Sequence, residues 1–126
     1  MQGLHLTADL RGCRCDRLWL VDSSALAAYC IAAAECSGLS AVAEVHHTFE
    51  AAGRGEAGVT ATVLLAESHL CVHTWPELDA VTLDVYVCNF LADHSASAHR
   101  LMDLLLALFK PTQDERHSLV RGSIGT

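Results

Sequence analysis

One segment concentrates the groups that can do chemistry. Leu64 to Glu77 reads LLAESHLCVHTWPE. It holds a hydroxyl at Ser68, imidazoles at His69 and His73, a thiol at Cys71 and carboxylates at Glu67 and Glu77. His69, Cys71 and His73 alternate, so on a regular strand they share a face and offer nitrogen and sulfur to a metal such as zinc. That reading needs a fourth ligand from elsewhere, and polar residues on a half-exposed strand would give the same pattern. Ser68 with His73 and a carboxylate, Glu67 or Asp84, has the composition of a hydrolase triad. The segment lacks the G-x-S-x-G elbow and the strand-to-helix turn that such a serine uses. Cys88 closes a later apolar run and would ordinarily be a small buried residue. It gains chemical meaning only if a site lies at that end of a sheet.

The elements that must position these groups follow from periodicity. Leu4 to Leu10, Ala41 to Phe49, Val59 to Ala66, Leu70 to Trp75, Val81 to Cys88 and Glu115 to Arg121 read as strands. Glu67-Ser68 interrupts the middle pair. Ser23-Ser24 is placed to cap a helix with the body ALAAYCIAAAEC, which Ser37-Gly38 stops. Asp93, Ser95 or Ser97 starts a second helix, whose Leu101, Leu104, Leu105 and Leu108 form an apolar stripe. Glu50 to Gly58 carries glycines and both charge signs, and reads as a hairpin loop. Its glycines fit neither dinucleotide nor P-loop spacing. The order β-α-β-β-β-β-α-β predicts one α+β domain over residues 1–126. It is a two-layer α/β sandwich, with two helices on one face of a mostly antiparallel sheet.

Composition bounds the function. The chain of 126 residues is 52% hydrophobic, enough for one core. Lys and Arg total 8 against 15 Asp and Glu, a formal charge of −7, so no basic face for nucleic acid is expected. The first residues lack the basic-then-apolar order of a signal peptide, and no apolar run is long enough to span a membrane. A cytoplasmic setting is expected, with the six cysteines as thiols. Lys110 is the only lysine, which leaves little choice of amine for a Schiff base.

The run GVTATVLLAESHLCVHTWPE, together with VTLDVYVCN, resembles the self-processing S-adenosylmethionine decarboxylases of bacteria and archaea. That family carries a GVSG…ESH…HTWPE…D…C pattern. His5-Leu6 near the start, Cys13 eight residues after that histidine, and the element order extend the resemblance over nearly the whole chain. It implies cleavage at Glu67–Ser68 into residues 1–67 and 68–126. Ser68 would become a pyruvoyl group that takes the substrate amine as a Schiff base, with neither pyridoxal phosphate nor metal. Such a group needs no lysine.

The resemblance also implies roles for other residues. His73 would take the Ser68 Cα proton during processing, and Thr60 would stand where the family has a processing serine. Cys88 would protonate the substrate carbon, Glu77 would hold ribose hydroxyls and Phe49 would stack on adenine. It further implies a small amino-acid-type substrate and a homodimer of cleaved protomers with sites at the interface. Thr60, Ala61 and Asn89 depart from the family's usual serine and glycines. With the 50–58 loop they keep arginine or ornithine open as an alternative substrate. A non-enzymatic metal-binding protein using His69, Cys71 and His73 is the alternative of another class. Ser68 and His73 differ in strand parity, so the resemblance demands a bend or break that brings them together.

Overall fold

The computed structural model describes residues 2–51 and 55–122. Residues 52–54, inside the expected hairpin loop, lie outside the described residues. Alternation of apolar and polar residues gives the four inner strands one face to bury, while the two edge strands stay largely exposed. The strand β5, Ala80–Cys88, buries Val81, Leu83, Val85 and Val87 and turns Thr82, Asp84, Tyr86 and Cys88 the other way. The other strands are β1 Gly3–Arg11, β2 Ala41–Thr48, β3 Val59–Leu65, β4 Ser68–Trp75 and β6 Gln113–Arg121. They form one sheet in the order β2-β3-β4-β5-β1-β6, with every neighbouring pair antiparallel.

The helices α2, Ser23–Cys36, and α3, Ser95–Phe109, cover the apolar face. The sequence-predicted α+β sandwich is the observed one, with differences of local origin. A one-turn helix α1, Leu18–Val21, precedes α2 and buries Leu20. So short a segment carries no periodicity to read. Asp22, not a serine, caps α2 by accepting the Ala25 amide at 3.0 Å. The stripe of α3 is rotated from the expected one. Met102 and Phe109 are fully buried with Leu101 and Leu105, while Leu104 and Leu108 are only partly covered. Helix α3 packs on β1 and β5, and Met102 and Phe109 take the buried positions expected for Leu104 and Leu108.

Strand β4 begins at Ser68 rather than Leu70, because the ladder with β3 closes through the pair Leu65–Ser68. Only Ala66 and Glu67 connect the two strands. Glu67 has φ of 56°, the left-handed region that glycine tolerates and glutamate resists. From Ser68 the strand runs without a bulge, paired on both sides. Leu70, Val72 and Thr74 are buried, and His69, Cys71 and His73 share the open face. The expected bend between Ser68 and His73 is therefore absent. Five residues of strand separate them, roughly 16 Å at 3.3 Å per residue.

The open face of the sheet has no covering layer among the described residues. Register puts Val45, Leu64 and Leu119 on it, beside Thr62, His69 and His5. Their exposures are 65%, 49% and 59%.

Candidate active site

The long antiparallel ladder gathers four of the sequence candidates at one end of the sheet. Thr60 on β3 is the direct partner of His73 on β4. The hydroxyl Oγ1 of Thr60 lies 2.8 Å from His73 Nδ1. The other ring nitrogen, Nε2, lies 3.4 Å from Cys71 Sγ, which in turn lies 3.3 Å from Thr62 Oγ1. Cys71 thus touches the imidazole. Behind the pair, the buried hydroxyl of Thr74 donates to the Leu20 carbonyl at 2.7 Å and accepts the Val59 amide at 3.0 Å. Thr74 follows His73 and Val59 precedes Thr60, so this satisfied buried group locks the local backbone of both.

A cavity of about 440 Å³ opens in front of them, lined among others by Phe49, Glu50, Thr60, His73, Trp75 and Glu77. Phe49 stands at the loop's start with its ring against His47, centroids 4.7 Å apart. Glu77 rides on a single 3-10 turn, Pro76–Leu78. Arg17 holds that turn. It donates to Asp79 at 2.6 Å, to the Pro76 carbonyl at 2.9 Å and to Glu56 at 2.9 Å. The Glu56 and Asp79 carboxylates push the Arg17 guanidinium further up. Gly58 closes the loop by giving its carbonyl to Phe49 N–H at 2.9 Å. A Cβ on Gly58 would meet the Thr74 carbonyl oxygen at 2.5 Å, so only glycine fits there. The hairpin loop expected over 50–58 contributes, outside residues 52–54, one wall of this cavity. Trp75, Glu50 and Arg17 escaped sequence reasoning because nothing in their spacing points to a pocket.

The remaining candidates stand at the opposite end of β4. Ser68 is half-buried, and its Oγ accepts the Cys88 amide at 3.0 Å. The C-terminal residue of β5 therefore lies against the serine through its backbone amide. Glu67 precedes it in the strained two-residue connection. The triad reading fails on this geometry: Ser68 and His73 are a strand length apart, and Asp84 is engaged elsewhere. The set of His69, Cys71 and His73 does not bring three ligand atoms together, and His69 Nε2 instead pairs with Asp84 Oδ2 at 2.6 Å. Among the described residues, the one group of three metal-capable donors is instead His5, His69 and Asp84.

Comparison with known proteins gives a consistent result. Residues 4–122 match the model of the family described as S-adenosylmethionine decarboxylase. An S-adenosylmethionine decarboxylase proenzyme of Picrophilus torridus is 35% identical over 121 residues, covering 96% of this chain and 85% of its own. The proenzyme of that name from Aquifex aeolicus is 31% identical over 122 residues, covering 97% and 82%. A crystal structure of the adenosylmethionine decarboxylase from Aquifex aeolicus superposes with a TM-score of 0.82 at 29% identity, covering 98% of this chain and 92% of that one.

Proposed function

The chain belongs to the S-adenosylmethionine decarboxylase family, and from that premise we propose that it cuts itself before Ser68 and then decarboxylates S-adenosylmethionine. The single observation that carries the reading is the cavity that unites Phe49, Thr60, His73 and Glu77. An aromatic face suits a purine and a bidentate carboxylate suits a ribose diol. A hydroxyl–imidazole pair suits proton transfer.

Ser68 fits the precursor of a pyruvoyl group. Its hydroxyl adjoins the peptide carbonyl of Glu67, whose left-handed backbone stores strain at the bond to be cut. Attack of Oγ on that carbonyl replaces the amide by an ester. Removal of the Ser68 Cα proton expels the Glu67 carboxylate with Oγ. Water then supplies a carbonyl oxygen as ammonia leaves. The group so formed would accept the substrate amine and withdraw electrons as CO₂ departs. Cys88 would return a proton to the substrate carbon, since a thiol can donate one.

His73 is the imidazole suited to take the Cα proton, yet it is too far from Ser68 of its own chain. We infer that a second copy supplies it. Two sheets packed by their open faces would cover Val45, Leu64 and Leu119, whose exposure is otherwise costly. A twofold axis between the sheets and across the strands would set the Ser68–Cys88 end of one protomer over the Thr60–His73 end of the other. No helix of the described residues is long and apolar enough to cross a membrane.

Intact mass tests the cut. Fragments of residues 1–67 and 68–126, the second blocked at its N-terminus, are expected, and Ser68→Ala should remain whole. Release of CO₂ from carboxyl-labelled S-adenosylmethionine tests the reaction. Cut protein that releases none from this substrate refutes S-adenosylmethionine as the substrate, and the same assay with arginine and ornithine tests the alternative.

A further inference from the structure

The proposed cut removes the very contacts that hold residue 68 beforehand. In the intact chain Ser68 is tethered to Glu67, paired to Leu65 and anchored by Oγ to the Cys88 amide. Oγ leaves with the Glu67 carboxylate when Cβ–Oγ breaks, and the nitrogen leaves as ammonia. Residue 68 thus keeps neither hydroxyl, amide N–H nor tether. The first side chain behind it is His69.

His69 does not hang free. Its Nε2 lies 2.6 Å from Asp84 Oδ2, and the same oxygen lies 2.8 Å from His5 Nε2. Arg121 Nη1 lies 3.4 Å from His5 Nδ1. A guanidinium can only donate, so His5 Nδ1 accepts and His5 Nε2 carries the proton given to Asp84. The tautomer is thereby set by the neighbours. The His69 ring stacks on Tyr86 at 5.9 Å and 27°, and Tyr86 is the register partner of both His69 and His5. The cluster spans β4, β5 and β1, three adjacent strands of the sheet. A cation held by the same three donors would face the guanidinium of Arg121 across His5, whereas protons suit the arrangement as it stands.

Resting on the proposed self-cleavage, we propose that Asp84 is a positioning residue: through His69 it holds residue 68 against Cys88 once the chain is cut. The anchor acts on the residue next to the reacting group and touches no substrate. A carbonyl displaced by even 1 Å costs about a hundredfold in rate, so the effect belongs in kcat rather than KM.

The test compares cut wild type with Asp84→Ala, His69→Leu and His69→Gln, the last keeping an N–H donor for Asp84. Intact mass, deuterium uptake over residues 68–75, kcat and KM are read for each. For Asp84→Ala and His69→Leu, cutting is expected with faster uptake. Their kcat should fall about ten- to a hundredfold while KM barely moves. Glutamine should recover most of the loss. Wild-type uptake and kcat in Asp84→Ala would overturn the proposal. So would equal impairment of the leucine and glutamine variants, or a loss confined to cutting. A wild type that never cuts would instead refute the self-cleavage reading.

Discussion

Thr60 Oγ1 and His73 Nδ1 stand 2.8 Å apart across a regular antiparallel pair, on the open face of the sheet. A hydroxyl bonded to one ring nitrogen orients the imidazole, and its own proton or lone pair stays available to a reacting carbonyl. Loss of the hydroxyl in Thr60→Ala should slow cutting about tenfold, the scale of one hydrogen bond. Thr60→Ser keeps the bond and sheds a methyl, so it should cut at least as fast as wild type. Time courses of fragment appearance decide this, and equal rates for all three proteins would remove Thr60 from the chemistry.

The distance between Ser68 and His73 along one strand makes a sharper prediction. Neither Ser68→Ala nor His73→Ala should cut when expressed alone. Co-expressed, they can form a mixed dimer in which one site has both wild-type groups. The His73→Ala chain should then be cut, using the histidine of its partner. Mass spectrometry reads the fragment carrying alanine at residue 73, and its complete absence from a purified mixed dimer would mean that each chain cuts itself unaided.

Glu67 occupies a left-handed backbone, φ 56°, that costs a non-glycine residue about 1 kcal/mol or more. In the uncuttable Ser68→Ala background, Glu67→Gly should therefore raise unfolding stability by about 1 kcal/mol, less the entropy that glycine adds to the unfolded chain. Urea denaturation measures it. A destabilised double variant would show that the connection is not strained.

Asp22 gives a pH signature. The Ala25 amide and then the Ser24 hydroxyl hold its carboxylate below the ordinary 3.8. The folded value is thus lower than the unfolded one, so the cap's contribution is full above about pH 4 and is lost as pH falls through the folded value. Asp22→Ala should lower Tm at pH 7 by a few degrees, and the gap to wild type should close on acidification. A gap that persists at pH 2 would assign the effect to something other than the charged cap.

The sequence by itself determined the layers, because period-two alternation in Val81 to Cys88 and the helical stripe of α3 leave each element one face to bury. It also determined the chemistry on offer, because Ser68, His73, Cys88 and Glu77 are legible as residue types in a pattern. What it did not contain was distance. Alternation says that Ser68 and His73 differ in parity, but only the unbroken pairing of β4 with β3 and β5 rules out a bend between them. Only packing against β1 and β5 selects Met102 and Phe109 over Leu104 and Leu108, since the leucines fit the same period equally well. The cluster of His5, His69 and Asp84 joins residues up to 79 positions apart. No local pattern encodes such a meeting: strand order and register, settled by the whole sheet's burial, bring those side chains together.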